Sequence, residues 1–235
     1  MTTTLDPEAP ARESAVTGTA LRRQLAAAAR VLLALTVLLG VVYPAAIWGV
    51  SRLPGLEHHA EGSLTPSIDR STSAPLRLPG GSSLIGIDPV PADPAADPWF
   101  HTRASASAPD DAVAGLGPAD ATTSGGSNLG AAAEDLGTAV AERRAAIAAR
   151  ERVHPAAIPP DALTASASGL DPQISPAYAA LQVPRVARVT GLGEDRVRAL
   201  VADATDGRSL GVLGEPRVNV PALDASLVAA APGIR

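Results

Sequence analysis

The pattern of hydrophobic and polar positions is dominated by one uncharged run near the N-terminus. It extends from Val31 to Val50 and reads VLLALTVLLGVVYPAAIWGV. At a rise of about 1.5 Å per residue, a helix of about twenty residues crosses a bilayer hydrocarbon core of roughly 30 Å. Only a helix pairs all of its own backbone N–H and C=O groups in lipid. The run therefore predicts a transmembrane helix, expected with its lead-in over residues 21–52.

The charges on either side of this run predict its orientation. Arg22, Arg23 and Arg30 precede it, whereas only Arg52 follows closely. The positive-inside bias then places the N-terminus in the cytoplasm and the main domain outside, in a single-pass protein of the plasma (inner) membrane. A cleaved signal peptide is the main alternative, but the run is longer than the usual apolar core of about 7–15 residues. A buried core helix is a second alternative, although an uncharged run of this length is uncommon in soluble domains.

The remaining chain divides by composition into an arm, a linker and one domain. Residues 1–20 lack periodicity and are expected to form a disordered cytoplasmic arm. Residues 53–80 are rich in Ser, Thr and Pro and are expected to be a linker or loop. Residues 81–235 are expected to form a single extracytoplasmic α+β domain. Its predicted elements are two pairing strand regions, Ser82–Ile87 and Leu210–Val220, packed against a helix at Ala131–Val153, a helical hairpin at Pro176–Thr205 and a short final helix around Leu223 and Leu227.

The amino-acid composition excludes several classes of function. The chain has no cysteine, which excludes disulfides, thiol nucleophiles and cysteine-ligated metals. The net charge of −5 offers no basic surface for nucleic acid. Aromatic residues make up only 2% of the chain, so the core must be built from Ala, Val, Leu and Ile. A core of this kind indicates that part of the stability comes from association with partners.

No catalytic or metal site emerges from the histidines. His101 and His154 are the only plausible general bases, and neither has a recognisable orienting partner in the sequence. The aromatic segment Trp99–His101 is therefore predicted to anchor the core. His58 and His59 are adjacent, and neighbouring side chains on a helix or strand point to different faces, so we assign them no metal.

A glycine-rich segment and a hydroxyl-rich segment are the remaining candidates. Ser124-Gly125-Gly126-Ser127-Asn128-Leu129-Gly130 is predicted to open the helix at Ala131. Capping by Ser127 or Asn128 is the simpler interpretation, and an anion held at the helix N-terminus is the alternative. The stretch Thr164–Ser175 is either a surface loop or a surface that meets another protein.

These blocks together resemble one known family. The chain carries GSSLIG (81–86), WFHTRASA (99–106), SGGSNLG (124–130), LTASASGLDPQISP (163–176), QVPRVAR (182–188) and LGEPRVNV (213–220), in this order after a single N-terminal span. In this it is similar to the C chain of the Kdp potassium-transporting ATPase. Three positions depart from the family pattern. Ile87 and Gln173 stand where the pattern has Gln and His, and Thr102 stands where it has a glycine, so the resemblance implies no role for these three side chains.

The resemblance implies a non-catalytic accessory subunit needed for assembly and stability of a high-affinity, ATP-driven potassium uptake complex. Its partners would be a channel-like subunit that carries potassium, a P-type ATPase subunit that hydrolyses ATP, and the lipid bilayer. The family is also described as a catalytic chaperone that raises the ATP affinity of the ATPase subunit. This chain would then have no cofactor of its own but would share ATP. The residues that the resemblance implies for nucleotide contact are Ser124, Gly125, Gly126, Ser127 and Asn128.

The predicted topology conflicts with direct nucleotide contact, because cellular ATP lies on the other side of the membrane. The structural role is therefore favoured, in which the outer domain covers the potassium entrance. Two hypotheses from other classes remain open. One is a stand-alone, membrane-anchored protein that binds a small anion at Gly125–Gly130. The other is a membrane-anchored hydrolase, for which the sequence supplies no triad.

Overall fold

The computed structural model describes residues 18–68 and 75–234, and the predicted disordered arm lies almost entirely outside them. By its internal contacts the chain separates into two compact units, residues 1–60 and residues 61–235. Each unit is described by itself below.

The first unit is dominated by one long apolar helix. It comprises α1 (Gly18–Val37), a π-helical turn (Leu38–Val42) and α2 (Tyr43–Ser51). The 34 residues have a mean hydropathy of 2.4 in their most apolar window, and none of that window is buried. By length and composition, this helix can cross a membrane. A short helix, α3 (Glu57–Ala60), ends the unit.

The π-helical turn has a local cause in Pro44. Proline has no N–H to donate, and its ring clashes with the carbonyl four residues earlier, here that of Gly40. The backbone widens over the preceding turn, where the N–H of Tyr43 donates to the carbonyl oxygen of Leu38, five residues back. The helix then continues without interruption to Ser51, as expected for a segment in which neighbouring turns accommodate a proline.

The second unit is an α+β domain, which confirms the predicted fold class. Two strands form an antiparallel hairpin, β1 (Leu64–Ile68) and β2 (Pro75–Ser82). Three more form an antiparallel sheet in the order β3-β5-β4, with β3 at Gln173–Ile174, β4 at Thr205–Asp206 and β5 at Arg217–Asn219. The helices are α4 (Glu134–Glu151), α5 (Pro160–Leu163), α6 (Pro176–Thr190), α7 (Glu194–Asp203) and α8 (Val220–Ala230).

The helical hairpin α6–α7 forms as predicted, for reasons visible in its ends. Ser175 caps α6 by accepting a hydrogen bond from the backbone N–H of Tyr178 at 3.0 Å, and Pro176 occupies the first turn. The helix continues through Pro184, where the sequence predicts a kink or restart. It ends at Gly191, whose φ of 74° is the left-handed conformation that favours glycine at a helix C-terminus.

The core lies between these helices and the three-stranded sheet. It is built mainly from aliphatic side chains, in agreement with the composition, and two aromatic side chains, Phe100 and Tyr178, are fully buried in it. The other fully buried members of this core are Ala162, Ile147, Ala179, Val186, Val197, Val218, Leu223 and Leu227. The predicted core anchor Trp99–His101 is confirmed, because all three residues are buried.

The predicted strand pairing is wrong. Only Ser82 of the predicted strand Ser82–Ile87 belongs to a strand, and β5 pairs instead with β3 and β4. The N–H of Gly86 donates to the carbonyl of Leu170, and a Cβ at Gly86 would lie 2.3 Å from the carbonyl oxygen of Asp171. The segment is thus a loop pressed backbone-to-backbone against a neighbour.

The other predicted strand region and the linker also differ from expectation. Residues Leu210 and Gly211 have φ of 54° and 78°, so the chain turns there, and strand geometry is confined to Arg217–Asn219. Conversely, residues 64–68 and 75–82 form a hairpin where the sequence predicts a linker. The hairpin strands contain prolines and glycines, Pro66, Pro75, Pro79, Gly80 and Gly81, which are typical of loops, so the sequence does not predict strands there.

The close approach at Gly86 predicts a large effect of a small substitution. We expect Gly86→Ala to lower the free energy of unfolding by about 1–3 kcal/mol, because the added methyl group meets backbone that cannot move aside cheaply. Gly137→Ala is the matched control, since Gly137 lies inside α4 with open space around it and should gain up to about 1 kcal/mol in helix propensity. Chemical denaturation of both variants checks this. Equal shifts in the two would contradict the backbone contact.

Candidate functional site

The most densely charged part of the domain surrounds His101, which is 5% exposed. Its Nδ1 lies 2.9 Å from Oδ2 of Asp88, and its Nε2 lies 2.5 Å from Oδ2 of Asp97. The sequence shows no orienting partner for this histidine, whereas the structure provides two. Both ring nitrogens are occupied, so the imidazole holds the loop Asp88–Thr102 together and is not available to a substrate as a base.

Arg185, from α6, joins this histidine to α4. Its Nε donates to both carboxylate oxygens of Glu151, at 3.1 and 3.0 Å. Its Nη1 donates to the carbonyl oxygens of Asp97 and Trp99 at 2.8 and 2.9 Å, and lies 3.2 Å from the Asp97 carboxylate. Arg150 donates from Nε to Glu151 at 2.7 Å and from Nη2 to the hydroxyl of Tyr178 at 2.9 Å. We call Asp88, Asp97, His101, Arg150, Glu151 and Arg185 the buried charge cluster.

Two further side chains bind the backbone of the aromatic segment. The amide oxygen Oε1 of Gln182 accepts from the N–H of His101 at 2.8 Å, and its Nε2 donates to the His101 carbonyl at 3.2 Å. Oδ1 of Asp224, on α8, accepts from the N–H of Phe100 at 3.0 Å. The backbone of this segment therefore finds its partners in side chains from two helices, as a buried backbone without a neighbouring strand must.

The pKa values in this region follow from burial set against opposite charge. Burial and Arg150 both disfavour a charged His101, but the carboxylates of Asp88 and Asp97 outweigh them, so the pKa of His101 is raised. The pKa of Asp97 is lowered, because hydrogen bonding and attraction to His101 and Arg185 exceed the effect of burial. Burial raises the pKa of Asp224 to about 8. The buried charge cluster thus contains three carboxylates, set against two arginines and one histidine.

The candidate residues Ser124–Asn128 lie elsewhere, against the hydroxyl-rich segment. The N–H of Gly125 donates to the carbonyl of Ser168 at 2.8 Å, and Oγ of Ser124 donates to the same oxygen at 3.0 Å. Gly126 runs so close to Ala167 that a Cβ on it would lie 3.1 Å from that residue's carbonyl oxygen. Two sequence blocks separated by about forty residues thus lie side by side.

A third block joins them from the segment after His101. The N–H of Ser166 donates to the carbonyl of Ala104 at 2.8 Å. Gly169, with φ of 74°, has space for no side chain, since a Cβ would lie 2.9 Å from the Gly125 carbonyl and 3.1 Å from Oγ of Ser105. The blocks WFHTRASA, SGGSNLG and LTASASGLDPQISP therefore form one continuous structural unit.

The predicted position of the glycine-rich segment at a helix N-terminus is wrong. Helix α4 begins at Glu134 with Ala133 as its N-cap, which makes no side-chain cap bond. Ser127 and Asn128 therefore cap nothing. Both are exposed, Asn128 has a left-handed φ of 55°, and within residues 18–68 and 75–234 neither side chain makes a hydrogen bond. They offer uncharged hydroxyl and amide groups to solvent or to a ligand.

Arg103, the one arginine within this unit, is already engaged. Arg103 donates from Nε to the carbonyl of Thr164 and from Nη2 to that of Ala165, both at 3.1 Å. Its Nη1 lies 3.2 Å from the carboxylate of Asp171. Arg103 thus connects the aromatic segment to the hydroxyl-rich segment through these hydrogen bonds. The five candidate residues themselves contribute no charge to a bound anion.

The three positions that depart from the family pattern fall into different environments. Ile87 is exposed, and Gln173 lies in β3. Thr102 is buried, and both its N–H and its hydroxyl donate to Oδ1 of Asp88, at 2.7 and 3.2 Å. A glycine there would lack the hydroxyl bond. Thr102 thus adds a partner to a carboxylate of the buried charge cluster.

His58 and His59 lie in α3, exposed, with ring centroids 5.7 Å apart. In the described ranges 18–68 and 75–234, no group of three or more His, Asp or Glu side chains is arranged to hold a metal ion.

One apolar helix that is long enough to cross a membrane, followed in the chain by an α+β domain, is the architecture of membrane-associated proteins with a single anchoring helix. Comparison with known proteins narrows the class. The profile of the family described as KdpC, the c chain of the K⁺-transporting ATPase, matches residues 25–229. The chain belongs to this family, as the sequence blocks indicate. It is accordingly a subunit of a potassium-transporting ATPase and is not an enzyme by itself.

Individual relatives extend over nearly the whole chain. It is 47% identical to the potassium-transporting ATPase KdpC subunit of Kineococcus radiotolerans, over 91% of this chain and 97% of that protein. It is 44% identical to the subunit of the same name from Variovorax paradoxus, over 84% and 91% of the two chains. For that of Rhodopseudomonas palustris the identity is 42%, over 86% and 94%.

The shared carboxylate in the buried charge cluster leads to a mutational prediction. We expect Glu151→Gln to lower the free energy of unfolding by about 3–5 kcal/mol, because it leaves the buried Arg185 and the partly buried Arg150 with too little negative charge. The matched control is Glu194→Gln, whose exposed pair with Arg198 should contribute at most about 1 kcal/mol. Thermal unfolding of the purified chain compares them. Similar losses in both variants would show that burial of the cluster is not decisive.

Proposed function

We propose that this chain is the accessory subunit that holds a potassium-uptake ATPase complex together, through one membrane helix and one outer domain. The observation that carries the proposal is that one chain combines two units of different kinds. The first unit offers an unburied apolar helix of 34 residues, and the second is a domain whose buried ionisable side chains pair with one another. The proposed partners are a channel-like potassium-translocating subunit and a P-type ATPase subunit of the same complex.

The proposed orientation places the N-terminus in the cytoplasm and residues 61–234 outside. It is supported by Arg22, Arg23 and Arg30 before the apolar run, against Arg52 alone close behind it. Arg52 also forms an ion pair with the carboxylate of Glu57 at 3.3 Å, and its guanidinium lies over the ring of Trp48.

Two exposed groups favour a second candidate function, contact with nucleotide. Ser127 and Asn128, within the unit formed by the three sequence blocks, are exposed, and in the part of the chain that the structure describes their side chains make no hydrogen bond. They could donate to the oxygens of ATP held mainly by the ATPase subunit, which is the chaperone role that the family resemblance implies. This candidate requires the domain to be on the ATP side of the membrane, so it competes with the proposed orientation.

The orientation can be tested with single cysteines, since the chain has none of its own. We expect Arg144→Cys, on an exposed face of α4, to react with a membrane-impermeant maleimide on intact cells. Thr19→Cys should react only after permeabilisation, because it precedes the apolar run. The opposite labelling pattern would place the domain in the cytoplasm and bring the nucleotide candidate forward.

The accessory role is tested by purification in mild detergent through a tag on this chain. We expect a P-type ATPase and a polytopic channel-like protein to co-purify, with potassium-stimulated ATPase activity. In that complex, Ser127→Ala with Asn128→Ala should leave the KM for ATP unchanged if the role is structural, as should the control Ser226→Ala. A rise in KM confined to the first pair would support nucleotide contact. A chain that elutes alone would contradict the accessory role and favour a stand-alone anion-binding protein.

A further inference from the structure

The loop between β4 and β5 presents an unusual set of apolar side chains, Leu210, Val212 and Leu213, which we call the apolar tip. They are 90%, 72% and 59% exposed. Leu210 and Val212 are the two most exposed large hydrophobic residues among those the structure describes. Every residue from 206 to 216 is exposed, so the loop stands away from the domain. Single exposed leucines are ordinary on protein surfaces, whereas three large apolar side chains within four positions form a patch.

The loop is a closed turn with internal bonds. Ser209 and Leu213 exchange backbone hydrogen bonds, each at 2.9 Å, and Arg208 donates from Nη2 to Glu215 at 2.6 Å across its base. Leu210 adopts a φ of 54°, a left-handed conformation that costs a leucine roughly 1–2 kcal/mol. The fold therefore holds its most exposed leucine in an unfavourable conformation, which is the kind of outlier found where a surface is used.

The charges at the base of the loop exclude one class of occupant. Arg208 pairs with Glu215, and Arg217 lies 3.7 Å from Asp206, so the base has no net charge. Attachment to an anionic lipid surface relies on unpaired Lys and Arg beside the apolar side chains. An apolar tip on a neutral base is instead suited to an apolar recess in a protein.

The size of the apolar tip limits the kind of protein that can bind it. A specific interface buries about 800 Å² on each partner, and three side chains supply at most several hundred. The tip alone is therefore too small to hold a second copy of the chain. It is large enough as the second contact of a chain already anchored through its apolar helix, because tethering raises the effective concentration of the second site. A partner that meets both contacts must itself be embedded in the membrane and have a water-exposed face.

We propose that the apolar tip inserts into an apolar recess on the water-exposed face of a membrane-embedded subunit of the same ATPase complex. This inference rests on the accessory role proposed above. It adds the surface of this chain that makes the contact outside the membrane.

The test places a photo-cross-linker at the tip through Leu210→Cys, using benzophenone maleimide on the purified complex. Arg144→Cys, exposed on α4, is the matched control. We expect a covalent product with a membrane-embedded partner subunit from position 210 and none from position 144. A product with a second copy of this chain, or with lipid, would overturn the proposal.

Protection from labelling gives an independent measurement on the same variants. We expect the maleimide reactivity of Leu210→Cys to fall by about tenfold or more in the complex relative to the chain alone, while that of Arg144→Cys is unchanged. Equal reactivity of position 210 in both states would refute docking of the tip, and the accessory role would stand if the partners still co-purify. Failure of the unmodified chain to recover any partner would instead remove the accessory role and this inference together.

Discussion

The requirement that buried charges be paired governs the architecture of the α+β domain. Glu151 is shared by Arg150 and Arg185, and Arg185 in turn reaches Asp97 and the backbone of the aromatic segment. Through these contacts α4, α6 and the loop before Thr102 are fixed to one another by directional bonds. Aliphatic side chains alone can pack in several arrangements of similar free energy. A network of buried ion pairs has one arrangement in which every charged group is hydrogen-bonded. In a domain with few aromatic residues, this cluster can supply the specificity that large ring packing supplies elsewhere.

The family blocks owe their spatial proximity to glycines placed where backbones touch. Gly86 lies against Asp171, and Gly126 and Gly169 lie against the neighbouring hydroxyl-rich and glycine-rich segments. Contacts of this kind bring carbonyls and amides within bonding distance without any regular strand. The blocks are consequently recognisable as short runs in the sequence, although what they share is a set of close approaches and not a catalytic constellation.

The sequence predicts those parts of the structure that depend on neighbours along the chain. The apolar helix, the Ser175 cap with Pro176 behind it, and the hairpin of α6 and α7 all follow from local patterns. What it misses depends on distant partners. His101 finds Gln182 from 81 positions away, and Phe100 finds Asp224 from 124 positions away. Likewise, Ser82–Ile87 has the sequence pattern of a strand, but the contact of Gly86 with the backbone of Asp171 holds it as a loop. The apolar loop around Leu210 also has the composition of a strand, but it has no adjacent strand among the described residues with which to form a sheet.

Two groups, His101 and Asp224, bind a proton more tightly in the folded domain than in the unfolded chain. His101 has a raised pKa, so its contribution to stability is complete below the unfolded value of about 6.5 and is lost as the pH rises through its folded value. Asp224 keeps its proton to about pH 8, whereas an unfolded aspartate releases it near 3.8. Both groups therefore make folding less favourable with rising pH, by at most about 1.4 kcal/mol per unit for each proton. The lowered pKa of Asp97 acts oppositely, and only below about 3.8. The stability of the α+β domain should thus be greatest near pH 4 and decline as the pH rises from there to about 8, where Asp224 has lost its proton in the folded state as well.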